Sequence, residues 1–266
     1  MATLRFVVGA LMMRFLLSEQ TYGAVGLLRT LGMGPDQLQP LYAVMLAGMV
    51  CGMAVSAYTF GEKTIVLQII ASIVLIAIGG WIDHQSTRLS RPHDFVVSQF
   101  LLSFASAMFM GPLLMIGIMQ ALKHGPDHMI TFMVLFAITQ SLGGLLGPAL
   151  LGTLQAERTQ AYVQATSSHL DAGNPAVAQR LGQQQGALAG TVTDPQLRAA
   201  QGAAQLAQVV RRKASVRAYN DVFTVIVALA MAFLAWSLYR VRRAAVEVRR
   251  TKAAAAATDP PGTAVA

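Results

Sequence analysis

Residues 4–28 read LRFVVGALMMRFLLSEQTYGAVGLL, an apolar run of membrane length with Arg14 and Glu19 inside it. At a helical rise of 1.5 Å per residue, such a run covers about 30 Å of hydrocarbon. A charge near the bilayer centre costs about 2.5–3.5 kcal/mol on insertion scales. Charges placed there face a bundle interior or a wet cavity, which makes Arg14 and Glu19 candidate functional residues. Arg14 falls about 15 Å into the run, near the midplane, and Glu19 about 7.5 Å further on. Their i,i+5 spacing sets them about 140° apart around a helix, so each needs a partner on another helix or in a cavity. A buried carboxyl can exchange a proton near neutral pH, whereas a guanidinium practically cannot. Glu19 is therefore the better proton carrier, with Arg14 tuning it or binding substrate. The competing reading is a structural polar contact between helices.

Working outward, five more apolar stretches follow at residues 38–60, 65–82, 95–122, 129–154 and 221–239. Gly32-Met33-Gly34-Pro35, Gly61-Glu62-Lys63, Arg91-Pro92 and Gly125-Pro126 punctuate the connectors. In lipid only helices and closed barrels satisfy the backbone. Runs this long without strict alternation are helices. The expected fold is all-α and integral to a membrane, a six-helix transmembrane bundle over residues 1–250. Composition agrees: 55% of the residues are hydrophobic and 12% charged, about half the charged share of a soluble domain. The net charge of +8 does not point to nucleic acid, because the basic residues sit outside the apolar stretches with no basic patch interleaved with aromatics. Cys51 is the single cysteine. No intramolecular disulfide is possible, and the expected role is a small buried hydrophobe. The first stretch runs past the length of a signal-peptide core and lacks a clear cleavage site.

Residues 155–217 differ in composition, being rich in Ala, Gln and polar groups. Leu170, Val177, Leu181, Leu188, Leu197, Leu206 and Val210 recur at loosely helical spacing, and Pro175 and Pro195 divide the segment. A helical extracytoplasmic insertion of two or three surface helices is expected between the fifth and sixth spans. Residues 251–266 read as a disordered cytoplasmic tail. Arg5, Lys63, Lys123 and the group Arg240, Arg242, Arg243, Arg249, Arg250 and Lys252 outweigh Arg29, Arg88 and Arg91 on the other side. This places both termini in the cytoplasm. The basic group Arg211, Arg212, Lys213 and Arg217 lies in a connector near the length at which the charge rule stops counting.

Small residues form the second constellation. Gly143 and Gly147 make a GxxxG in the fifth stretch; Gly144, Pro148 and Gly152 repeat at four-residue spacing; Gly48 and Gly52 do the same in the second. Such stripes let backbones approach closely, as static packing or as a sliding interface. Pro112 is expected to kink the fourth span. Gln20, Gln99 and Gln140 are candidate cavity-lining residues, or bond only to neighbours. Asp83, at the end of a span, is expected to be solvated. His124 and His128 have metal-like spacing, but Gly125-Pro126 between them argues against one helix face. There is no GK[ST] phosphate loop, G-x-S-x-G or H-E-x-x-H. No enzyme activity, cofactor or metal is therefore expected. An ATP-driven exporter would need a separate nucleotide-binding chain.

Three stretches resemble the C-terminal half of a major facilitator superfamily transporter, of the fourteen-helix drug:proton antiporter branch (EmrB/QacA-like). They are Gln140–Leu154, similar to that branch's penultimate helix; Ala214-Ser215-Val216-Arg217-Ala218-Tyr219-Asn220-Asp221-Val222-Phe223, similar to the entry to its last helix; and Leu17–Gly26 followed by Leu31–Pro35, similar to the helix opening the last six. The resemblance covers about residues 4–245. Gly61-Glu62-Lys63-Thr64 lacks the full loop motif of the superfamily. The resemblance implies proton-coupled efflux of drugs or other amphiphilic organic compounds from a bacterial inner membrane by alternating access. It places the first, second, fourth and fifth spans around the path and the third and sixth at the periphery. It also implies a partner, either an N-terminal half or a second copy, and a periplasmic adaptor against the insertion. A non-transporting six-span protein, a truncated product or a scaffold for other membrane proteins, is the alternative.

Overall fold

The computed structural model describes residues 2–61, 64–123, 125, 127–167, 179, 182–183, 186–187, 190 and 194–258. Lys63, His124, Leu170, Pro175, Val177, Leu181, Leu188 and residues 259–266 lie outside them. Its elements are α1 (Ala2–Leu16), a π-helical turn (Glu19–Ala24), α2 (Val25–Thr30), α3 (Pro35–Tyr58), α4 (Ile65–Asp83), a 3-10 turn (Pro92–Phe95), α5 (Val96–Lys123), α6 (Asp127–Ser167) and α7 (Pro195–Thr258). No strand occurs among the described residues.

Five helices are long and apolar enough to cross a membrane: Pro35–Tyr58, Ile65–Asp83, Pro92–Lys123, His128–Thr166 and Pro195–Glu247. The protein is thus all-helical and membrane-embedded in character. The first apolar run, expected as the first of six spans, is helical from Ala2 to Thr30 except at Leu17, but it is divided into α1, the π turn and α2 and is not one of these five. Ser18 Oγ bonds back to the Arg14 carbonyl at 3.3 Å, a contact that bends helices, and the π turn begins one residue later. A π turn inside a helical path often marks a functional position.

Glycines set the closest helix approaches. A Cβ on Gly48 would stand 2.7 Å from the Phe100 carbonyl oxygen, and one on Gly52 would collide with the Phe104 carbonyl. A Cβ on Gly143 would stand 2.8 Å from Arg14 Cβ; one on Gly147 would collide with Ser18 Oγ; one on Gly152 would lie 3.1 Å from the Tyr22 hydroxyl. In both seams the residue numbers rise together, so α3 runs parallel to α5, and α1 with its π turn runs parallel to α6. This is the direction expected of spans with an odd number of crossings between them, one for α3 and α5 and three for α1 and α6. α4 packs against α5 and α7, and α6 against α7. Met13, Leu16, Ile73, Ile76, Leu102 and Ile226 form the main apolar core. A second cluster gathers Leu27, Leu28, Leu38, Phe95 and Phe223 beneath the loop after α2.

Outside this core the membrane-length helices carry broad apolar faces. Leu46, Met49, Val50 and Met53 on α3, and Ile130, Met133, Leu145 and Leu150 on α6, are exposed. Faces of this extent suit lipid or another apolar partner. Cys51 lies on the α3 face and is exposed, not buried as expected, because apolar residues of a span need not point inward. In the segment expected as an insertion, residues 155–167 prolong α6, residues 195–220 form the first part of α7, and the described residues 179, 182–183 and 186–187 between them are helical as well. Neither 155–167 nor 195–220 contains an internal Pro, and Gly202 is the single glycine within these two stretches. At the other end α7 continues to Thr258, into the stretch expected to be a disordered tail. The alanines at 253–257 are the strongest helix formers.

Candidate functional site: a buried carboxyl cluster

The cluster is built where three elements meet. α4 ends at Asp83. The 3-10 turn before α5 is capped by the Arg91 N–H donating to Asp94 Oδ2 at 2.8 Å, and it delivers Gln99 one turn into α5. Glu19 opens the π turn. Gln99 Nε2 donates to Glu19 Oε2 at 3.1 Å and Oε1 at 3.3 Å, and to Asp83 Oδ2 at 3.0 Å. The two carboxyls also contact each other. Glu19 and Gln99 are 0% exposed and Asp83 1%. The amide orientation follows from the chemistry, because the reversed amide would aim an oxygen at both carboxyls. Gly23 gives Glu19 room: a Cβ there would lie 3.1 Å from Glu19 Oε1 and 2.7 Å from the Phe223 ring.

Asp83 corrects the sequence reading, which left it in solvent at the end of a span. The loop after α4 folds over it and is pinned to α7. His84 Nδ1 lies 3.1 Å from the Asn220 carbonyl oxygen and 2.9 Å from Thr224 Oγ1; Asn220 Nδ2 donates to the Ser86 carbonyl at 3.0 Å; and Ser86 Oγ donates to the Asp83 carbonyl at 2.6 Å.

The electrostatics are unbalanced. Among the described residues neither carboxyl forms an ion pair. Gln99 Oε1 and Asp83 Oδ1 are buried without a hydrogen-bond donor. Two ionised carboxyls on one neutral amide repel each other in a medium that screens them poorly. A single proton on either carboxyl would remove that repulsion and supply a donor the cluster otherwise lacks.

The other candidates sit elsewhere. Arg14 is half-buried against the glycine stripe of α6, where a Cβ on Gly144 would lie 3.4 Å from its Nη2. Its guanidinium meets neither Glu19 nor any other ion-pair partner among the described residues. Gln20 Nε2 donates to Ser103 Oγ at 2.6 Å, joining the π turn to α5 beside the cluster. Gln140 is half-buried on α6 and takes no part. A cleft of about 740 Å³ lies between α6 and α7, beyond their apolar stretches, and none of these five residues lines it. No group of three metal-ligating side chains occurs among the described residues. His124, half of the weighed metal pair, is outside them. The structure therefore brings Glu19 and Gln99 together and adds Asp83. The missed signal was one acidic residue closing the run Gly79-Gly80-Trp81-Ile82, which nothing local distinguishes from an interfacial residue. Compared with known proteins, the chain matches no family model, no curated protein and no solved structure.

Proposed function

We propose that the chain is one six-helix half of a proton-coupled efflux transporter of the major facilitator type, with the Glu19–Gln99–Asp83 cluster as its proton-binding unit. The observation that carries this reading is the pair of buried carboxyls on a single amide, with two buried acceptors lacking a donor. Binding and losing one proton changes the hydrogen bonding of three helices at once: the segmented first one, α4 and α5. Gln99 lies one turn inside α5 and Asp83 ends α4, so the cluster sits near one membrane face. Proton exchange is read as occurring from that side, the outer one if both termini are cytoplasmic. The parallel seams join the second span to the fourth and the first to the fifth, and these are the four spans that the resemblance sets around the path. Alternating access would move this bundle against a complementary half or a second copy, with small amphiphilic organic compounds and protons as cargo. The location proposed is a bacterial inner membrane, with a periplasmic adaptor as the partner of the prolonged ends of α6 and α7. No cofactor enters this mechanism.

A second reading, a six-span protein that transports nothing, draws on the complete burial of Glu19 and Gln99, which suits a static polar knot. Everted vesicles carrying the chain with its complementary half decide between them. A fluorescent organic cation should accumulate on imposing a pH gradient, and Glu19→Gln should abolish accumulation at unchanged expression. Unchanged accumulation in that variant removes Glu19 from coupling. No accumulation with the unaltered chain favours the static reading.

A further inference from the structure

The cleft between the prolonged ends of α6 and α7 is used by none of the foregoing, and its chemistry is distinct. Its floor is ordered. Gln155 Nε2 donates to Thr159 Oγ1 at 3.0 Å and to Ser215 Oγ at 3.1 Å, while its Oε1 accepts from the Tyr22 hydroxyl at 3.3 Å. Gln160 and Gln208 add amides along the walls. The ionisable groups lining it are Arg211 and Arg212, with no carboxylate. Neither arginine forms an ion pair among the described residues. Lys213 and Arg217 stand next in sequence; of the nearby acids, Asp221 is engaged by Arg158 at 3.8 Å and by the Tyr162 hydroxyl at 2.8 Å, and Glu157 on α6 does not line the cleft.

Depth narrows the ligand. Gln155 is the first residue past the apolar run 129–154, and Thr30, at the end of α2, lines the same cleft. Arg212 reaches the loop after α2, where a Cβ on Gly32 would be 4.0 Å from its Nη2. The cleft therefore begins where hydrocarbon ends. Two guanidiniums with amides and hydroxyls at that depth match a phosphodiester: planar donors for its anionic oxygens and neutral groups for the glycerol portion. We propose that this cleft binds a phosphodiester anion presented at headgroup depth, an acidic phospholipid being the membrane-borne source and a soluble glycerophosphate the alternative one. The proposal is independent of any transport activity.

The test uses the full chain in detergent, exchanged into nanodiscs of phosphatidylcholine with a minor share of phosphatidylglycerol. Lipid retained through delipidation is counted by native mass spectrometry. The unaltered chain should keep one phosphatidylglycerol at least tenfold over its share of the mixture. R211Q/R212Q should lose that preference, and R249Q/R250Q, at the far end of α7, should keep it. A207W fills the cleft at constant charge from an exposed lining position, and should lose the lipid as well. Displacement of the lipid by millimolar glycerol 3-phosphate supports recognition of the phosphate itself, whereas resistance supports a site that also holds the acyl chains. Equal retention in R211Q/R212Q and the unaltered chain overturns the proposal, as does equal loss in R249Q/R250Q or full retention in A207W.

Discussion

Replacing Glu19 by Gln separates what the cluster does for stability from what it does for protons. In the structure Glu19 is an acceptor facing an amide and a second carboxyl, and Gln99 Oε1 and Asp83 Oδ1 are left without donors. A glutamine at position 19 brings two N–H donors and no charge. A neutral hydrogen bond is worth about 0.5–1.5 kcal/mol net, and one to a charged group about 1.5–3. Satisfying one or both acceptors should therefore stabilise the fold by about 1–3 kcal/mol. Gln99→Leu should do the opposite. The amide has two protons, so it makes at most two full bonds among its three short contacts. Losing two bonds to charged acceptors costs about 3–6 kcal/mol, less a fraction recovered by burying a leucine. In Glu19→Gln/Gln99→Leu the repulsion is gone, so the double variant should be clearly more stable than Gln99→Leu alone, a non-additivity expected of contacting residues. Graded unfolding in mixed micelles, followed by circular dichroism, measures all three. The reasoning is refuted if Glu19→Gln falls as far as Gln99→Leu, because Glu19 would then be held by a cation or by donors to its charged form.

Other outcomes follow from the same geometry. Asp83→Asn should abolish pH-gradient-driven accumulation in everted vesicles while folding normally, because the amide keeps the shape and supplies a donor; retained coupling would leave Glu19 as the lone proton carrier. Gly52→Ala drives a Cβ into the Phe104 carbonyl and should cost about 1–3 kcal/mol by forcing α3 and α5 apart. Gly9→Ala meets nothing within 4 Å and should be neutral or mildly stabilising in the same unfolding assay. Arg14→Leu removes a guanidinium without an ion-pair partner among the described residues from a membrane-length segment. It should raise stability by about 2 kcal/mol or more; a loss would reveal a partner for that charge.

Length, apolar content and the scarcity of charge were enough to read a helical membrane protein. These are sums over local sequence, and hydrocarbon tolerates few alternatives. The glycine stripes were legible for the same reason: Gly48 and Gly52, or Gly143 and Gly147, fall on one helix face whatever the helix meets. Glu19 was conspicuous because a carboxyl in an apolar run is costly anywhere. What it meets was not local. Gln99 lies 80 residues away along the chain, and Asp83 looked like an ordinary end-of-span acid until the following loop closed over it. Only the tertiary arrangement decided that the two carboxyls share one amide and that Arg14 turns to the glycines of α6 instead of to Glu19. It also decided that the first run breaks into a π turn, and that α6 and α7 extend far enough beyond the apolar layer to form a cleft. Each of these depends on which helices become neighbours and on the shape that packing leaves between them. Periodicity within a single segment carries no record of either.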